Sequence, residues 1–263
     1  MMNIGIIGLG FVGNAIHQYF KNTDNNLFIY DKYKNINSFN TIINTDILFI
    51  CLPTLFCDKL NNYDMSEIDI TLELLNNNYK GIIIIKSTIT PEYAVNINNK
   101  YKSLRVIHNP EFLSAKTAVE DFANQKHIIL GHTEQSINYV NIVKDFYLSY
   151  FPNATISIVS SVESSLVKLS CNSFYACKIQ FFTEIYLLCE KLNVSYTKVK
   201  ELMLKNNWIN PMHTDVPGHD NMLSFGGACF PKDISALNQY LIKNNTPNMV
   251  INAAITERNK MRK

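Results

Sequence analysis

The chain has 263 residues, enough for one large domain or two modest ones with a core that needs no staples. Apolar residues make up 47% and charged residues 17%, a globular composition and not a disordered one. A net charge of +2 gives no basic stripe of the kind nucleic acid calls for, and no apolar run approaches the roughly 18 residues of a membrane span, so neither partner is expected.

In chain order, the apolar N-terminus lacks a basic flank and a small-residue cleavage site, so "NIGII" (3–7) reads as a first strand and not as a signal peptide. A helical pattern follows from Val12 to Lys21, then a second strand, "LFIY" (27–30), ending at Asp31. Further strands are expected at 46–53, 81–86, 104–110, 127–131 and 155–160, with helices near 66–78, 90–99 and 134–149. Short, continuously apolar strands alternating with helices predict a doubly wound parallel sheet covered on both faces, an α/β domain over 1–160. From Ser161 to Leu192 the pattern changes: glycine and proline are absent and apolar residues recur at helical spacing, which predicts one long helix. Helices near 195–205, 231–244 and 248–262 complete an all-helical second domain, 161–263. The basic end "ERNKMRK" suits the last turn of a helix, where cations complement the dipole.

Six cysteines show no CxxC or Cys/His ligand spacing, so no metal site is expected and a reducing, cytoplasmic compartment is. His213 and His219 supply too few ligands for a metal and read as part of a mobile loop, which Trp208 opens either as an anchor or as a buried ring.

Two loops hold six of the nine glycines, which marks where backbone bends tightly or meets a ligand. The first, "GLGFVG" (8–13), follows a strand, opens a helix, and is followed by Asp31 at the end of the next strand. That context makes it a dinucleotide loop: Gly8 for the turn, Gly10 for the pyrophosphate, Gly13 for helix packing. Asp31 would accept from a ribose 2′-hydroxyl and repel a 2′-phosphate, favouring NAD over NADP. The second runs from Gly218 to "SFGGACFPKD" (224–233), which places Cys229 before Pro231, a residue suited to a helix's first turn. A helix N-terminus and the nearby Lys232 favour a thiolate, and Gly226 and Gly227 keep side chains off the sulfur. On spacing alone this reads equally as an ordinary glycine-containing loop before a helix, with Asp233 a first-turn cap.

"FGGACFPKD" resembles the active-site cysteine motif of the UDP-glucose dehydrogenase family, the nucleotide-sugar 6-dehydrogenases. "GLGFVG", "LPT" (52–54), "KST" (86–88), "NPEFL" (109–113) and "KLSCNSFYACKI" (168–179) are similar to family motifs in the same order, so the resemblance runs from residue 3 to about 260. It implies a Rossmann-like NAD-binding domain and a central helical domain that forms a homodimer through the long helix. It also implies a two-step oxidation of a nucleotide sugar, UDP-glucose to UDP-glucuronate foremost, through a thiohemiacetal and then a thioester on Cys229. Carried onto this sequence, the catalytic set is Cys229, Lys168, Asp233, Glu111, Asn172 and Thr88. Lys168 and Asn172 would steady oxyanions, Asp233 would hold Lys168 or share in activating water, Glu111 would serve thioester hydrolysis as acid or base, and Thr88 would orient the water. The cofactor would meet Gly8, Gly10, Phe11, Val12, Gly13, Asp31, Pro53, Thr54, Ser87 and Thr88. The substrate would meet Glu111, Phe112, Leu113, Lys168, Asn172, Phe225 and Gly226. Each residue has a plainer reading: Lys–Asp a surface ion pair, Asn172 a helix hydrogen bond, Glu111 after Pro110 a helix start.

Two departures stand out. Family members continue into a second nucleotide-binding domain that grips the UDP, whereas this sequence ends at Lys263. A separate chain supplying those contacts, a different mode of holding, and loss of activity all stay open. Ala115 also stands where many members carry an acidic residue near the cofactor. The remaining alternatives are a two-domain β-hydroxyacid dehydrogenase, which needs no nucleophilic cysteine, and a non-catalytic NAD-binding subunit.

Overall fold

The computed structural model describes residues 1–262, the side chain of Asn98 apart; Lys263, the last residue of the basic end, lies outside them. The elements in order are β1 (Asn3–Ile7), α1 (Phe11–Phe20), β2 (Asn26–Tyr30), a 3-10 turn (Phe39–Ile42), β3 (Ile47–Ile50), β4 (Phe56–Cys57), β5 (Asn62–Tyr63), α2 (Ser66–Leu75), β6 (Ile82–Ile85), α3 (Pro91–Lys100), β7 (Arg105–His108), α4 (Ala118–Ala123), β8 (His127–His132), α5 (Val140–Tyr150), β9 (Thr155–Ser160), α6 (Ser161–Leu192), α7 (Tyr196–Leu204), α8 (Phe230–Lys243) and α9 (Met249–Met261).

Contacts divide the chain into two compact units, Met1–Leu55 with Tyr63–Lys168, and Phe56–Asn62 with the chain from Leu169 onward. The first unit is a seven-stranded sheet in the order β2-β1-β3-β6-β7-β8-β9. Its strands pair in parallel except at one junction, where β7 meets β8 antiparallel through Ile107 and His132. Strand periodicity explains the two-sided core. Ile82 and Ile84 of β6 face one layer with α1, α4 and α5, while Ile83 and Ile85 face the other with α2 and α3. All four isoleucines are buried, each contributing about 1.5–3 kcal/mol relative to exposure. Helix starts follow local chemistry: Thr90 caps α3 by accepting from the Tyr93 amide at 3.3 Å, with Pro91 in the first turn.

The second unit is helical, apart from the short segment Phe56–Asn62, which packs on α8. One cluster gathers Ala176 of α6, Phe225, Ile234 of α8 and Ala254 of α9; another gathers Phe182, Cys189 and Tyr196. α6 runs 32 residues, and the division between units falls inside it, between Lys168 and Leu169.

Several expectations are adjusted. The third strand stops at Ile50, four residues after Asp46, because Cys51–Thr54 turn into a loop around Pro53. The helix expected over 134–149 begins only at Val140, since Thr133, Ser136 and Tyr139 form consecutive turns stitched by Ser136 Oγ. α4 and the β4–β5 ribbon are too short to carry a period. Trp208 is 91% exposed, which overturns its reading as a buried ring. Among the described residues no helix is long and apolar enough to cross a membrane, and no group of His, Cys, Asp and Glu is arranged to hold a metal.

Candidate functional site

In the first unit the predicted residues gather at the carboxyl ends of parallel strands. β1 lies between β2 and β3, so the chain reverses its winding direction there, and ligands of open α/β sheets bind at such switch points. Gly8 takes φ +85° and a Cβ there would meet the Cys51 carbonyl oxygen at 2.6 Å. A Cβ on Gly13 would stand 1.9 Å from the Gly8 carbonyl oxygen, so helix α1 can approach the turn this closely only with glycine. Gly10, the α1 N-cap, has open space around it; no side chain caps the helix and no acidic residue sits in its first turn. The first amides of α1 are therefore open to an anion, the cradle a dinucleotide pyrophosphate requires. Phe11 is exposed and Val12 half-buried beside it.

Asp31 is 8% exposed. Its Oδ2 accepts from the Leu9 amide at 2.7 Å, and Oδ1 from the amides of Tyr33 at 3.0 Å and Lys34 at 2.9 Å. Burial works to raise this carboxyl, but those three amides, with the Lys34 charge, outweigh it and hold it below the usual carboxylate range. The carboxylate thus fixes the glycine loop itself, a task the sequence did not disclose. After β3 and β6, Thr54 Oγ1 donates to the Thr88 carbonyl at 2.8 Å and Ser87 Oγ to the Leu52 carbonyl at 2.7 Å, so the "LPT" and "KST" segments form one ridge. Pro53 is exposed on it, while Thr54, Ser87 and Thr88 are buried.

The residues after β7 surround an ion pair. Lys168 of α6, 3% exposed, donates from Nζ to the Glu111 carbonyl at 2.6 Å and to Oε1 at 3.0 Å. Glu111 Oε2 accepts from the Leu113 amide at 2.7 Å, and the Phe112 ring lies 5.1 Å from the ammonium. Glu111 begins no helix: α4 starts only at Ala118, which removes the helix-start reading.

In the second unit Cys229 is the N-cap of α8, exposed, with Pro231 in the first turn and its carbonyl accepting from the Asp233 amide at 3.0 Å. Asp233 is fully buried; its Oδ2 accepts from Asn172 Nδ2 and its Oδ1 from Lys232 Nζ, both at 2.5 Å. Asn172 thus does more than satisfy helix backbone. Phe225, 1% exposed, anchors the cysteine loop in the core rather than lining an open surface. His213 packs between Tyr175, tilted at 54°, and Phe230, edge-on at 85°, where burial, then Lys178 and His219, lower its pKa.

Two models of one family match the chain: the NAD-binding domain of the UDP-glucose/GDP-mannose dehydrogenase family over residues 31–150 and its central domain over 162–260. The chain belongs to that family, and its cofactor is NAD. A UDP-glucose 6-dehydrogenase of Rickettsia bellii is 36% identical over 194 residues, 72% of this chain and 43% of the relative. The structure of a UDP-glucose dehydrogenase from Pyrobaculum islandicum superposes with TM-score 0.81 over 97% of this chain and 67% of that one, at 21% identity. A 3-hydroxyisobutyrate dehydrogenase of Mycobacterium tuberculosis shares the fold, with TM-score 0.75 at 15% identity, over 97% of this chain and 92% of its own. The chain spans about half the length of the curated relatives it matches.

Sequence reasoning passed over two residues. Lys86, the first residue of "KST", is 3% exposed at the end of four isoleucines, and its Nζ donates to Asn109 Oδ1 at 2.8 Å. A lysine closing so apolar a strand was the available signal. Arg262 gave none, because its partners lie about 40 positions upstream.

Proposed function

We propose that this chain oxidises a nucleotide sugar, UDP-glucose foremost, to the uronate with two equivalents of NAD, through a covalent intermediate on Cys229. The observation that carries this reading is the placement of Cys229: an exposed thiol at a helix N-terminus, with Lys232 and Asp233 bonded in the turn that follows and Asn172 of α6 bonded to Asp233. Family membership and the names of the relatives support the substrate class.

The balance is RCH2OH + 2 NAD⁺ + H2O → RCOO⁻ + 2 NADH + 3 H⁺. NAD supplies the hydride acceptor, held by Gly8, Gly10, Phe11, Val12, Gly13, Asp31, Pro53, Thr54, Ser87 and Thr88. Cys229 sulfur adds to the aldehyde carbon, keeping a reactive species bound between the two oxidations. The resulting thioester is cleaved by water, which returns the thiol. Lys168 steadies the oxyanion at each stage, with Asn172 in support. Glu111, whose carboxylate is held by Lys168 and the Leu113 amide, takes the proton of the attacking water; Asp233 and Thr88 help orient that water. Phe112, Leu113 and Gly226 complete the substrate's surroundings, while Phe225, buried in the core, holds the loop from behind.

The active form is proposed to be a homodimer. Phe174, Phe181, Leu188 and Leu192 of α6 are 64%, 49%, 51% and 62% exposed at spacings of seven, seven and four, one apolar stripe along the helix. The compartment is proposed to be the cytoplasm, on the cysteine spacing of the sequence. The 3-hydroxyisobutyrate dehydrogenase fold match sustains a second reading as a β-hydroxyacid dehydrogenase. Counting NADH per substrate consumed separates the two: two with a carboxylate product for the first, one for the second.

A further inference from the structure

Gly226 was read from sequence as keeping the approach to Cys229 clear, and the structure gives another reason for it. A Cβ at position 226 would lie 2.1 Å from Nη1 and 2.7 Å from Cζ of Arg262. That guanidinium, on a side chain 9% exposed, threads through the loop that leads to the cysteine. Its Nη1 donates to Asp220 Oδ2 at 2.6 Å, Nη2 to Asp220 Oδ1 at 3.2 Å and to the Ser224 carbonyl at 2.7 Å, and Nε to the Leu223 carbonyl at 2.7 Å. One turn earlier on α9, Arg258 Nε donates to the Phe225 carbonyl at 3.3 Å. The other side of the loop is held from α6: Ser224, at φ +60°, donates its amide to Thr183 Oγ1 at 3.2 Å and its hydroxyl to Gln180 Oε1 at 2.5 Å.

This grip covers 220–226. Gly227 takes φ +76° with nothing near the place of its missing Cβ, and Cys229 is exposed two residues on. A short arm therefore runs from a clamped point to the α8 N-terminus. Only a planar fork of five donors can serve one carboxylate and two carbonyls at once; a lysine ammonium in that space is a point charge without the fork.

We propose that Arg262 is a positioning residue for Cys229: by locking residues 220–226 it fixes the arm that keeps the sulfur at the N-terminus of α8. The proposal rests on the reading of Cys229 as the nucleophile, and two readouts separate them.

The first readout needs no turnover. The full chain is alkylated with iodoacetamide across pH 6 to 9.5 and modification of the Cys229 peptide is followed by mass spectrometry. Arg262→Lys keeps the positive charge but not the fork, so a change in this variant reports geometry and not field. The midpoint of Cys229 alkylation is expected to rise by at least half a pH unit, with Cys57 alkylated as in the wild type. Gly226→Ala, which evicts the guanidinium from the opposite side, is expected to give the same rise. Should Arg262→Lys fail to fold, Gly226→Ala and Asp220→Asn carry the test. The second readout is NADH formation with UDP-glucose, where a fall in kcat of tenfold or more with KM for NAD unchanged is expected. A shifted Cys229 midpoint in a chain that makes no NADH even as wild type sustains the positioning role and removes the dehydrogenase reading. Wild-type alkylation midpoints in both Arg262→Lys and Gly226→Ala overturn the proposal.

Discussion

The ammonium of Lys86 lies 2.8 Å from the side-chain oxygen of Asn109, and that oxygen also accepts from the Tyr147 hydroxyl. Asn109 Nδ2 donates to the Ile129 carbonyl at 2.8 Å, so the amide that precedes the Pro110–Leu113 loop is held on three sides. A buried cation thereby braces the strand end from which Glu111 reaches Lys168.

That arrangement has a measurable pH signature. Burial, partly offset by Cys51 and Glu111 and reinforced by Lys168, depresses the Lys86 pKa to about 8. Above pH 8 the folded chain releases a proton that the unfolded chain keeps to about 10.4, so this group makes stability rise with pH. Burial pushes the Cys51 thiol up to about 12, which works the other way above pH 9. Urea midpoints are expected to rise by about 1 kcal/mol equivalent between pH 8 and 9, and Lys86→Met should flatten that rise. A wild-type profile falling through this window contradicts it.

Acid should act through His108. Burial and then the Lys86 charge lower its pKa to about 3, and Nδ1 shares a 2.7 Å hydrogen bond with Ser164. The unfolded chain binds a proton below about 6.5 that the folded chain refuses, so this group's stabilisation is present above pH 6.5 and drains away toward pH 3. The loss reaches about 3 kcal/mol by pH 4. Denaturant titrations of His108→Gln should show a shallower decline than the wild type; an equal slope rules His108 out.

Asp31→Ala removes the acceptor of the Leu9 amide as well as the proposed ribose partner. NAD affinity is expected to fall tenfold or more, about 1.4 kcal/mol, and discrimination against NADP to relax. Isothermal titration with both cofactors decides it: wild-type preference for NADP defeats the assignment.

Cys229→Ser should transfer hydride but stall at an ester that hydrolyses poorly, visible as a sugar adduct by mass spectrometry, whereas Cys229→Ala should make no acid. One NADH per substrate in the wild type, with an unaffected Ala variant, points instead to a β-hydroxyacid dehydrogenase.

A charge in the middle of the apolar α6 stripe, Phe181→Glu, should convert a dimer to a monomer in sedimentation velocity, since its ring is 49% exposed and no core is lost. A monomeric wild type at micromolar concentration removes the dimer proposal.

The sequence by itself determined the longer elements and the strand, glycine turn and helix over 3–20. Continuously apolar runs such as "IIII" (82–85) and the unbroken helical spacing of 161–192 are local signals, as is a glycine turn between a strand and a helix. The resemblance carried by short motifs likewise led to the family. Tertiary structure alone decided what the buried charges do. Nothing local pairs Glu111 with Lys168, 57 positions apart, or turns Asp31 inward onto Leu9. The antiparallel entry of β8 was equally hidden, because direction is set by the connection and not by strand composition. Gly226 is the sharpest case: a glycine there was legible, but its reason, the space filled by Arg262, comes from a helix that returns to the loop only once the chain has folded.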